Sequence, residues 1–236
     1  MDDQELKRTL KDIYRRLFAR YGPQHWWPAR KLFEVIVGAI LTQSAAWTNV
    51  EKAIENLRKA GKLSPGALRQ LPQAELTGLI YSCGYYNIKA RKLKAFTQWL
   101  GERYDDNLDR LFAPDTGDLR RKLLDIYGIG EETADSILLY AGNKPIFVID
   151  AYTRRIIDRM GLSPRGNSYA AYQALFMANL PADAVLFNEY HALLVRLAKE
   201  VCRRLPRCAQ CCLNPEATSG SERADGRFPC AALLRT

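Results

Sequence analysis

The sequence predicts an all-α fold, on three observations. Apolar residues recur at helical spacing through most of the chain, sustained strand-like alternation is absent, and a Gly128-Ile129-Gly130 turn joins two apolar segments spaced like helices packed on each other. At 236 residues the chain can bury one large core or two modest ones. Thirty-five Lys+Arg against 26 Asp+Glu leave a formal charge of +9, which suits a polyanionic partner bound less tightly as salt rises. Many basic proteins have no such partner, so charge shifts the balance only slightly. No apolar run reaches the ~18 residues of a membrane span, and the start Met1-Asp2-Asp3-Gln4-Glu5 lacks the basic, then apolar, pattern of a leader. A soluble, cytoplasmic protein is expected, nucleoid-associated if bacterial, without a membrane partner.

The elements follow in order. Leu6, Leu10, Ile13 and Leu17 mark an amphipathic first helix; Phe33, Ile36, Val37, Ile40 and Leu41 mark a second, more buried one. Further helices are predicted near 47–60, 65–71, 73–81, 88–102, 117–126, 131–141, 151–160, 168–179 and 183–203. Ser64-Pro65, Asn87, Thr116 and Asp183 are the candidate caps. Connections are short, and neither an internal repeat nor a low-complexity segment precedes about residue 214.

The turn at 128–130 carries the most chemistry. Gly128 and Gly130 can take positive φ and let another backbone approach, and the N–H groups at the start of the helix from Glu131 carry partial positive charge, so the turn can hold a phosphate. A plain loop between core helices would read the same way. A carboxylate follows in Val148-Ile149-Asp150. This pairing of turn and aspartate resembles the helix-hairpin-helix of the endonuclease III superfamily of DNA glycosylases. The resemblance covers about residues 24–211. It implies a middle helical lobe at 24–144, a composite lobe from 1–23 with 145–201, a cysteine-rich loop at 202–236, and a DNA cleft between the lobes. It also implies that Asp150 is catalytic: a carboxylate beside the sugar stabilises the positive charge that develops as an N-glycosidic bond breaks, and orients or deprotonates the attacking water. Asp150 also precedes Ala151-Tyr152-Thr153, so it can cap that helix, and the two roles are compatible.

Superfamily members that also cut the DNA backbone use a lysine in Gly-x-Gly-x-Lys-Thr-Ala. This chain has Gly128-Ile129-Gly130-Glu131-Glu132-Thr133-Ala134. Glu132 cannot form an imine, which argues for a monofunctional enzyme; nothing points to Lys144 or Lys199 as a substitute. Trp26-Trp27-Pro28, with Phe33 to Gln43, resembles the 3-methyladenine DNA glycosylase III branch, where an aromatic pocket stacks on an extruded alkylated base. Trp26 and Trp27 are the implied pocket, or else ordinary core. Gln43 and Tyr85 match the segments from which the superfamily inserts side chains into DNA, with Tyr85 as the wedge. Both also suit a plain helix end. Lys89, Arg91 and Lys92 would lie near phosphates or form a solvated face.

Five of the six cysteines follow residue 201. In a cytosolic chain such clustering favours a metal over disulfides. Resemblance to endonuclease III implies a [4Fe–4S] cluster on Cys202, Cys208, Cys211 and Cys230. The spacing departs from the family: five residues rather than six separate the first two cysteines, and Ala217 stands where the fourth ligand belongs, so either Cys230 closes the site across a longer loop or the cluster is altered. A four-cysteine zinc site and unligated thiols stay open. A metal here would be structural, tying down a basic loop with Arg203, Arg204 and Arg207. The leading reading is a monomeric, monofunctional DNA glycosylase acting on damaged, alkylated bases in double-stranded DNA. The alternatives are a glycosylase/AP lyase for oxidised pyrimidines and a non-catalytic binder of DNA structure.

Overall fold

The computed structural model describes residues 2–26 and 31–214, which are helical with no strand among them. Two of the candidate site residues, Trp27 and Cys230, lie outside the described residues. The chain divides into two compact units, one from residues 1–26 with 145–236 and one from residues 27–144.

The first unit holds α1 (Asp3–Tyr21), and the second holds α2 (Leu32–Leu41), α3 (Trp47–Lys59), α4 (Pro65–Gln70), α5 (Gln73–Leu79), α6 (Tyr86–Tyr104), α7 (Leu108–Phe112), α8 (Thr116–Leu124) and α9 (Glu131–Ser136). The chain then returns to the first unit as α10 (Ala151–Arg159), α11 (Tyr169–Met177) and α12 (Ala184–Glu200). No helix among the described residues is long and apolar enough to cross a membrane.

In the second unit α2 is apolar apart from Glu34 and is buried from Phe33 to Leu41, as expected of a central helix. Its buried Glu34 is paired with Arg58 of α3 at 2.9 Å, which meets the requirement that a buried charge be compensated. The two helices of the hairpin, α8 and α9, are joined by a two-pronged ion pair. Arg120 Nε donates to Asp135 Oδ1 at 2.7 Å and Nη2 to Oδ2 at 3.2 Å, and the Asp135 side chain is fully buried.

Several boundaries differ from the sequence expectation. Five-residue α7, capped by Asn107, is too short to display a period and was not anticipated. Asp115 rather than Thr116 caps α8, its Oδ1 accepting from the Asp118 amide at 3.0 Å. Asn87 lies inside α6, because Tyr85 occupies the cap position in a left-handed conformation (φ 46°). The helix expected over 131–141 changes to a π turn at Ile137–Ala141. Gly130 sits at φ −93°, ψ −179°, an extended conformation open to any residue, so only Gly128 (φ 80°) uses the freedom expected of both.

In the first unit, α1 packs on α12, which also packs on α10. Tyr190 of α12 is fully buried and its hydroxyl donates to the Leu10 carbonyl of α1 at 2.9 Å. Residues 145–150 are non-helical, yet Ile146, Phe147, Val148 and Ile149 are all buried. Buried backbone outside a helix must find other partners. α11 supplies them: Gln173 Nε2 donates to the Phe147 carbonyl at 2.7 Å, and the Ile149 amide donates to the Tyr169 hydroxyl at 3.2 Å. Phe147 stacks on Phe176 at 3.9 Å and meets the Phe187 and Tyr190 rings edge-on. A short extended segment is thereby locked in the core and delivers Asp150 to a fixed place.

Candidate active site

Asp150 heads α10. Its Oδ1 accepts from the Thr153 amide at 2.7 Å, the N-cap geometry anticipated from sequence. Its Oδ2 lies 3.7 Å from Nε2 of His191 on α12, an ion-pair distance when the imidazole is protonated. The carboxylate side chain is 14% exposed, enough to face a substrate. Burial pushes its pKa up, but the neighbouring His191 imidazole and the Thr153 amide outweigh that, and the net result lies below the ordinary 3.8. A carboxylate so held is ionised throughout the neutral range.

A stability consequence follows. A depressed carboxylate contributes stability above its unfolded-state value and loses it as pH falls through the folded value. The urea midpoint of the parent should therefore fall more steeply than that of Asp150→Asn between about pH 5 and about pH 3, because the variant lacks this titration but keeps a capping side chain.

His191 was not singled out from the sequence. The available signal was a histidine inside the apolar stretch Tyr190-His191-Ala192-Leu193-Leu194, where a buried polar side chain needs a partner. Trp26, in the same unit as Asp150, is half-buried and carries the Lys199 ammonium 5.7 Å from its ring centroid.

In the second unit, Gly128, Gln43 and the start of α6 come together. Gln43 Nε2 donates to the Gly128 carbonyl at 3.1 Å and to Thr133 Oγ1 at 2.8 Å, and Lys92 Nζ donates to Gln43 Oε1. The Gln43 amide is thus turned into the hairpin, and inserting it into DNA would break these contacts. Lys92 also lies where a Cβ on Gly128 would be, and the Arg91 guanidinium sits 4.9 Å from the Tyr127 ring centroid. Arg91 and Lys92 therefore brace the turn. Lys89 departs from both sequence expectations, near phosphates or solvated: it is 2% exposed, and its ammonium donates to the Leu41 carbonyl at 2.9 Å and the Cys83 carbonyl at 2.8 Å. It ties the end of α2 to the turn before Tyr85. Tyr85 itself is 70% exposed, and Tyr81 and Ile88 are exposed as well. Glu131 and Glu132 are both exposed.

The cysteine loop packs in the first unit. Arg155 Nε donates to the Cys202 carbonyl at 3.0 Å, and Arg159 donates to the carbonyls of Arg203 at 2.6 Å and Arg204 at 3.0 Å. Two arginines one turn apart on α10 thus tie down the basic segment that a metal was expected to hold. Burial, then the neighbouring Cys211 and Cys202, push the Cys208 thiol up. Among the described residues no group of three or more His, Cys, Asp or Glu side chains is arranged to hold a metal ion. The described residues therefore do not by themselves form the cluster site.

The family model described as HhH-GPD superfamily base excision DNA repair protein matches residues 37–182. The chain belongs to this family. A protein of Methanocaldococcus jannaschii assigned as a DNA repair glycosylase is 43% identical over 200 residues, 84% of this chain and 91% of the relative. The endonuclease III of Thermotoga maritima is 25% identical over 206 residues, 87% of this chain and 90% of the relative. Among solved structures, the H. pylori 3-methyladenine DNA glycosylase bound to 1,N6-ethenoadenine is similar at TM-score 0.69 and 27% identity, over 85% of this chain and 98% of the other. A trapped endonuclease III–DNA covalent intermediate shares the fold at TM-score 0.72 and 21% identity, over 89% of this chain and 93% of the other. This HhH-GPD protein is accordingly a DNA glycosylase of base excision repair, with DNA as its substrate.

Proposed function

We propose that this glycosylase is monofunctional and releases alkylated bases by hydrolysis, with Asp150 as its catalytic carboxylate. The observation that carries the reading is the pairing of an ionised, anchored carboxylate at the head of α10 with an exposed Glu132 where a lyase requires an amine. The two lysines considered as substitutes are otherwise engaged. Lys144 donates to the Pro114 carbonyl at 2.9 Å, and Lys199 lies over Trp26.

In the proposed reaction the bond from C1′ of the sugar to the base nitrogen lengthens, and its electron pair leaves with the base. The Asp150 carboxylate stabilises the cationic sugar and accepts a proton from the water whose oxygen bonds to C1′. An alkylated purine, cationic before the bond breaks, leaves as a neutral base, so one carboxylate suffices. Similarity to the H. pylori 3-methyladenine enzyme supports this substrate class.

Methylated duplex DNA tests the proposal. Free methylated purines should appear, with strand breaks only after alkali. Breaks without alkali together with a borohydride-trapped adduct would replace it with the lyase reading, and release of oxidised bases alone would overturn the substrate. A [4Fe–4S] cluster on Cys202, Cys208, Cys211 and Cys230, or zinc on the same residues, is a separate part of the proposal, supported by the clustering of five of the six cysteines after residue 201. Iron, sulfide and zinc content of the purified protein decides it.

Tyr85 is the proposed wedge, on the support of its exposure and its place ahead of α6. A non-glycine residue in the left-handed region costs about 1–2 kcal/mol, so Tyr85→Gly should leave thermal stability unchanged or raised. Base release from a paired site should nevertheless slow by about tenfold or more, because the extruded base's place is left unfilled. A fully active Tyr85→Gly enzyme would remove the wedge role.

A further inference from the structure

Buried ionisable groups cost free energy unless they are compensated, so each one in a helical core needs a partner. His191, one of two histidines in the chain, is 5% exposed, and its imidazole lies edge-on to the Phe147 ring at 6.4 Å. Phe147 belongs to the clamped segment that delivers Asp150, so the core that fixes the carboxylate's backbone also packs against the histidine. The two oxygens of Asp150 have different surroundings: Oδ1 accepts from the amide of the helix it caps, and Oδ2 lies 3.7 Å from an imidazole nitrogen on another helix packed on that one.

We propose that His191 is the positioning residue for Asp150: its imidazole fixes the rotation of the carboxylate and keeps it ionised when a bound base excludes water. The inference rests on Asp150 being the catalytic carboxylate. A carboxylate capped at one oxygen can still turn about its Cβ–Cγ bond, and a second contact through the other oxygen selects one rotation. Water exclusion strengthens desolvation, which favours the protonated acid; a proton-donating neighbour turned to the carboxylate opposes that. Asp150 already shows this balance, since burial alone would raise its pKa and His191 is the first of the groups that reverse the shift.

Several charged groups on the surrounding elements have other partners. Arg155 and Arg159 of α10 reach the carbonyls of Ala198 and residues 202–204, and the Tyr169 hydroxyl of α11 meets the Ile149 amide. On the α1 side, Tyr14 packs on Tyr190, whose pKa burial and then Asp12 push up, and Glu189 of α12 accepts from the Gln24 amide.

Two measurements test the proposal. Carbon-13 NMR of side-chain-labelled aspartates, with the Asp150 signal assigned by its loss in Asp150→Asn, follows the carboxyl directly. In His191→Gln and His191→Phe its midpoint should rise, more in the Phe variant, which has no polar donor; unchanged midpoints overturn the proposal. Gln carries the test alone if the Phe variant does not fold.

Single-turnover base release from methylated duplex DNA supplies the second readout. The variants should be slower by about tenfold or more at neutral pH, with the acid limb moved to higher pH and DNA affinity within about twofold of the parent. Variants that match an active parent in rate and pH profile overturn the proposal. A parent inactive on methylated DNA would instead count against the substrate reading, while the carboxyl titration would still decide whether His191 holds Asp150 ionised.

Discussion

Asp150→Asn should lower single-turnover base release by at least about a hundredfold while leaving affinity for undamaged duplex within about twofold of the parent. Asparagine is nearly isosteric and can still accept from the Thr153 amide, so α10 keeps its cap and the core segment 145–149 keeps its place. What is lost is the negative charge beside the sugar. Stabilisation of developing charge acts on the transition state and hardly at all on bound ground-state DNA, so the loss falls on the rate. The hairpin of the other unit, which carries the proposed phosphate contacts, is untouched. Base release equal to the parent's would remove Asp150 from the mechanism. Loss of affinity in step with rate would show that the variant is misfolded or that the residue binds DNA.

Gly128→Ala should have the opposite signature, with affinity falling by about tenfold or more and the salt dependence of binding becoming shallower. The turn residue stands at φ 80°, where a side chain costs about 1–2 kcal/mol. A Cβ there would run into Lys92 Cγ and lie 2.7 Å from its Cδ, too close to be accommodated without movement. Lys92 is not free to swing away without cost, since its ammonium is bonded to Gln43, which in turn holds the Gly128 carbonyl and Thr133. One methyl group thus pushes on the network that braces the turn, and the proposed phosphate-binding amides are displaced. Lys92→Ala separates the two causes. If the steric part dominates, the Gly128→Ala/Lys92→Ala pair binds DNA better than Gly128→Ala alone; if backbone strain dominates, the second substitution gives no recovery. Parental affinity and salt slope in Gly128→Ala would exclude the turn from DNA binding.

Sequence alone determined what depends on near neighbours along the chain. Helical periodicity needs contacts three and four residues apart, and a cap needs a side chain within reach of an amide two or three residues on. So the all-α class, most helix positions and the capping geometry of Asp150 and Asp183 were legible, and the hairpin motif sufficed to recognise the glycosylase family. The failures are also local in origin: α7 is too short to show a period, and the left-handed Tyr85 displaced the expected cap at Asn87.

Only the tertiary structure decided which distant side chains meet. No pattern near residue 150 announces His191, and no spacing places Gln43 against Gly128 or Arg159 against the cysteine loop. Lys89 is the clearest case: a lysine in a basic helix reads as solvated, yet it is buried on two carbonyls because unpaired carbonyls at a helix end and a tight turn converge on one point. Helix packing brings such groups together, and a buried polar group takes whatever partner that packing supplies.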